Sequence, residues 1–141
     1  MTEHPKGTPP EELRTAASDM GETRYFFHRL KLRTLWSWDG LAETWRTEYS
    51  FRTWVVANAL SAALAFALPL STGERALILA LGLLVLVVEL LNTAVERAVD
   101  YISTASHPLA KASKDAASGA VAVAAVAAGL AWAVILWGLY G

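Results

Sequence analysis

No cysteine occurs anywhere in the chain, which excludes a disulfide framework and a thiolate metal site and leaves the redox compartment open. Proline is also scarce, and Pro5, Pro9 and Pro10 all fall near the N-terminus, so the apolar stretches beyond are little interrupted. Charge of one sign is missing too. The formal net charge is −1, with 18% charged residues, which argues against a nucleic-acid partner. Neither G-x-x-x-x-G-K-S/T nor G-x-G-x-x-G is present, so phosphate chemistry, if any, uses an unusual site. G-x-S-x-G and H-E-x-x-H are absent as well. The first residues lack a basic segment followed by a short apolar core, so no cleaved signal peptide is expected.

What the chain has in excess is apolar surface. Hydrophobic residues make up 55% of 141, a length that allows one domain and a composition beyond that of ordinary soluble proteins. Residues 1–23 read as a flexible polar tail. From Arg24 to Trp45, Tyr25, Phe26, Leu30, Leu32, Leu35, Trp36 and Leu41 alternate with Arg29, Lys31 and Arg33, which suits a helix lying in a membrane interface over about 24–48. Trp38-Asp39-Gly40 is expected to break it in two. Apolar spans are expected over about 50–70, 74–102 and 112–140. The expected fold is therefore an all-α membrane protein with three transmembrane helices. A soluble helical bundle is disfavoured because the last helix has no charge after Asp115 to build a polar face.

Basic residues set the orientation. Arg29, Lys31, Arg33, Arg46 and Arg52 precede the first span, and Lys111 and Lys114 lie near the second connection; the first connection has only Arg75. By the positive-inside rule the N-terminus is cytoplasmic and the C-terminus outside. Trp45 and Trp54 then lie near the inner interface, with Trp132 and Trp137 near the outer one.

The second span carries the chemistry. Glu89, Asn92, Thr93, Glu96 and Asp100 recur at helical spacing and share one stripe. A charge at the bilayer centre costs roughly 2.5–3.5 kcal/mol, so this stripe needs a metal, a partner or a water-facing site. A helix entering near Ala76 crosses a ~30 Å hydrocarbon core in about 20 residues. Glu89 is then roughly 9 Å inside the boundary, Glu96 at it and Asp100 in water. A carboxylate removed from water can act as a base, and carboxylates at the water edge can hold Mg²⁺ against phosphate. Glu48, Arg52, Lys114 and Asp115 converge at the same level, while Arg97 is expected to neutralise Glu96 or lipid headgroups. Three spans make a thin wall, so an oligomer sharing its sites between subunits is expected.

The run Glu89-Leu-Leu-Asn92-Thr93-Ala94-Val95-Glu96-x-x-Val99-Asp100 resembles the signature of the small prokaryotic diacylglycerol kinases. Trp45-x-x-Glu48-x-x-Phe51-Arg52 and Lys114-Asp115 match at corresponding intervals, and the likeness covers about Arg29 to Gly141. The resemblance implies a homotrimer of three-span subunits in the bacterial inner membrane, each with a surface helix, phosphorylating a lipid hydroxyl with MgATP. It implies Glu89 as general base, Glu48 and Glu96 as Mg²⁺ ligands, and Asn92 as the residue that orients the catalytic group. Lys114 and Asp115 would contact nucleotide, with Arg29, Trp36 and His107 as further nucleotide contacts. Trp45, Phe51, Ser118 and Trp132 would contact lipid. The chain departs from the proteobacterial pattern at Lys111-Ala112-Ser113, and its connection His107-Pro108-Leu109-Ala110-Lys111 is more similar to the undecaprenol kinase branch. Diacylglycerol is the expected acceptor and undecaprenol the alternative; a small ion- or proton-coupled transporter is the competing class.

Overall fold

The computed structural model describes residues 21–141, so the tail expected over 1–23 lies, as far as residue 20, outside the described residues. Four helices follow in order: α1 (Glu22–Thr47), α2 (Tyr49–Ala67), α3 (Thr72–Ile102) and α4 (Pro108–Tyr140). No strand occurs among the described residues. The described residues fall into two compact units, one ending at Glu43 and the other spanning Thr44–Gly141.

The first unit corrects one sequence expectation: α1 runs unbroken through Trp38-Asp39-Gly40. Glycine inside a helix costs only about 1 kcal/mol against alanine, less than the surrounding helix formers supply. Around the axis, Phe27, Leu30, Trp38 and Leu41 share one face and are all exposed. Arg29, Trp36, Asp39 and Glu43 fall on the opposite face.

In the second unit α3 is the middle helix, packed against both α2 and α4. Its start is fixed by a capping box: Glu74 N–H donates to Ser71 Oγ at 3.3 Å, and Ser71 N–H donates to Glu74 Oε2 at 2.7 Å. Arg75 reaches back to the end of α2, donating to the carbonyls of Ala65 (3.0 Å) and Leu70 (3.2 Å) and covering the Phe66 ring. Those bonds satisfy backbone oxygens near the end of α2. Ala65, Leu70, Ile78 and Ile135 form the apolar core at this end, flanked by Trp132 and Leu139.

The opposite end is polar. Arg52 donates to the carbonyls of Trp45 and Arg46, both at 3.2 Å, and so covers the end of α1. His107 caps α4 through Nδ1, which accepts from Leu109 N–H at 3.2 Å, and Pro108 occupies the first turn where its missing N–H is harmless. Helices α3 and α4 are long and apolar enough to cross a membrane; α2, shorter and carrying Arg52 and Asn58, does not meet the same criterion. Large apolar side chains such as Leu83, Val87, Leu91, Val123 and Val134 face outward, as they would toward lipid.

Candidate active site

The face that α3 buries is one continuous stripe: Ile78, Val85, Glu89 and Thr93, at intervals of seven and four. The polar positions thus extend the packing face of α3. They do not form a separate side. Glu89 is 3% exposed and Thr93 4%. Glu89 Oε1 and Asn92 Oδ1 are buried without a hydrogen-bond partner. Two unmet acceptors one turn apart are expensive, about 1–3 kcal/mol each, and both call for a donor.

The Asn92 amide is bonded to Glu96: Nδ2 donates to Glu96 Oε1 at 3.2 Å. The residue expected to orient the base therefore holds the expected metal ligand. Glu48 stands at the N-cap of α2 and its Oε1 accepts from Arg97 Nη2 at 2.9 Å. The same nitrogen donates to Thr47 Oγ1 at 2.7 Å. Arg97 is thus paired with Glu48, and not with Glu96, one of the two partners expected from the sequence, the other being lipid headgroups. Asp100, expected in water, is exposed and accepts from Lys114 Nζ at 2.6 Å, which ties α3 to α4. Lys111 pairs with Asp115 one turn on.

Among the described residues no group of three or more His, Cys, Asp or Glu side chains is placed to hold a metal. Glu48 and Glu96 are nonetheless hard oxygen donors, and Glu96 is joined in sequence to the residue that grips Glu48. Mg²⁺ needs only one or two carboxylates when phosphates and water complete its shell, so this donor set fits Mg²⁺.

The remaining candidates are dispersed. Phe51 is buried, at 5% exposure, so its contacts are within the chain. Trp45 and Ser118 are exposed. Trp132 is half-buried and its indole N–H donates to Ser61 Oγ at 2.8 Å, clasping α4 to α2. Arg29 and Trp36, seven residues apart on one face of α1, belong to the first unit, where Arg29 stacks on Tyr25. Sequence reasoning missed Thr47 and the Arg97–Glu48 pair, for which a single sequence offers no signal across a separation of 49 residues.

Prokaryotic diacylglycerol kinase, as a family, matches residues 35–136 of the chain. A diacylglycerol kinase from Pseudomonas aeruginosa is 44% identical over 110 residues, covering 78% of this chain and 89% of its own length. The diacylglycerol kinase of Escherichia coli is 36% identical over 115 residues, 82% of this chain and 94% of that one. An undecaprenol kinase from Bacillus subtilis is 46% identical over 87 residues, 62% of this chain and 71% of its own.

Proposed function

The chain belongs to the prokaryotic diacylglycerol kinase family and is a lipid kinase, and from that premise we propose that it transfers the γ-phosphoryl group of ATP to the hydroxyl of diacylglycerol, giving phosphatidic acid. The observation that carries this reading is the pair of buried acceptors without donors, Glu89 Oε1 and Asn92 Oδ1. A lipid hydroxyl would supply one such donor, to Glu89 Oε1. Glu89 takes the hydroxyl proton, the freed oxygen forms a bond to the γ-phosphorus, and the bond from that phosphorus to the β,γ-bridging oxygen breaks, its electron pair leaving on ADP.

Glu48 and Glu96 would hold Mg²⁺, which when bound neutralises charge on the phosphates. Asn92 steadies Glu96 through its amide, and Asp100 steadies Lys114 so that its ammonium stays at the site's edge. Catalysis is then mainly positioning, as phosphoryl transfer requires. Arg29, Trp36, His107 and Asp115 serve as further nucleotide contacts in this proposal, while Trp45, Ser118 and Trp132 line the lipid side.

We place the protein in the bacterial inner membrane with α2 as a third span. At 19 residues, α2 is about 28 Å long, close to the hydrocarbon thickness. The N-terminus is cytoplasmic and the C-terminus outside. A homotrimer covers part of the outward apolar surface and shares its sites between subunits.

Undecaprenol is the second acceptor, supported by the identity to the Bacillus subtilis relative. Radiolabelled phosphate transfer in mixed micelles, with each lipid offered separately, tests the proposal. Diacylglycerol is expected to be the better acceptor, and preferential labelling of undecaprenol would overturn that choice.

A further inference from the structure

The side chains that favour a helix N-cap are those of Ser, Thr, Asp and Asn, and glutamate is not among them. Glu48 occupies the N-cap of α2 and makes no side-chain capping bond. Its Oε1 accepts from Arg97 Nη2 at 2.9 Å and from Thr47 Oγ1 at 3.4 Å, and Arg97 Nη2 also donates to Thr47 Oγ1. The ion pair joins Glu48 to the end of α3, where Glu96 is the residue before Arg97. The pair is partly open, with Arg97 43% and Glu48 29% exposed, so a water-soluble anion can reach it. The neighbouring lysines are engaged elsewhere, Lys114 with Asp100 and Lys111 with Asp115. Among the described ion pairs, that of Arg97 is the one that occupies a proposed metal carboxylate.

A guanidinium in this position has two opposed effects. It competes for the Glu48 oxygen and repels a bare divalent cation. It also attracts a polyphosphate that Glu48 and Glu96 would otherwise repel. Both described contacts use Nη2, so the Nε and Nη1 donors of the planar fork can address a phosphate oxygen. We propose that Arg97 determines the form in which metal enters: it disfavours uncomplexed divalent cation and favours cation arriving with nucleotide phosphates, to which the guanidinium turns as it releases Glu48. This rests on the reading of the chain as a MgATP-dependent lipid kinase.

The test uses the full chain in detergent micelles and two affinities. Mn²⁺ alone is titrated by electron paramagnetic resonance, and a non-hydrolysable ATP analogue is titrated by calorimetry in saturating Mg²⁺. Arg97→Gln is expected to tighten Mn²⁺ by about three-fold or more, the modest size reflecting solvent screening. The same variant should weaken the analogue by about ten-fold or more, the value of a lost charge-assisted hydrogen bond. Arg97→Lys, which keeps the charge without the fork, should fall between. Shifts in the same direction, or no shift in either, would overturn the proposal. If the unaltered protein binds no analogue and phosphorylates no lipid, the kinase reading falls with it; if it does both and Arg97→Gln changes neither affinity, the role of Arg97 alone falls.

Discussion

At the residue scale, Glu89 is the side chain on which most depends. It is buried at 3% exposure with an unpartnered oxygen, a condition that stability alone would not maintain. Replacing it with glutamine preserves volume and removes the proton acceptor. Glu89→Gln should lower turnover by about 10²–10⁴-fold, the usual worth of a general base. Thermal stability should change little, because glutamine keeps the volume of the side chain. Binding of the ATP analogue should persist. Lipid phosphorylation at near-normal rate would eliminate Glu89 as the base. The glutamate and asparagine of this stripe were legible in the sequence from their spacing and depth. The direction of the Asn92 amide, toward Glu96, was not, because rotamers answer to neighbours on other turns and helices.

At the scale of elements, the α2–α3 joint offers a clear energetic contrast. A Cβ added at Gly82 would meet Asn58 Oδ1 at 2.2 Å, while Asn58 Nδ2 donates to the Trp54 carbonyl at 2.9 Å. Gly→Ala inside a helix gains about 1 kcal/mol from propensity, and overpacking costs about 1–3 kcal/mol. Gly82→Ala alone should therefore be destabilising. In an Asn58→Ala background the clash disappears, and the same change should become neutral or stabilising. Thermal melts of the four proteins in one detergent check this reversal of sign; the same shift in both backgrounds would exclude the close contact. Helix existence was readable along the chain, but the unbroken α1 was not. Asp39-Gly40 signals a turn locally, and only the helix on both sides outweighs it.

At the scale of the whole molecule, the absence of cysteine makes the membrane path directly measurable. Single substitutions Ser50→Cys, Gly73→Cys and Ser106→Cys mark the start of α2, the start of α3 and the connection between α3 and α4. A membrane-impermeant maleimide applied to intact spheroplasts should label Gly73→Cys alone. Applied to inverted vesicles it should label Ser50→Cys and Ser106→Cys. If Ser50→Cys labels together with Gly73→Cys, α2 does not cross and the three-span proposal fails. The apolar surface that α3 and α4 turn outward is why the membrane enters the account at all.

By itself the sequence determined the helical class, two of the three spans it led us to expect, the acidic stripe and the family, because each is written in local composition and spacing. Helical periodicity acts between residues a few positions apart, and it placed Glu89 and Glu96 on one stripe without tertiary information. Only the tertiary structure decided which charges pair: Arg97 with Glu48, Lys114 with Asp100. It also decided that Glu89 continues the buried face of α3. Pairing across helices depends on their relative rotation and packing, which periodicity within a single helix does not specify.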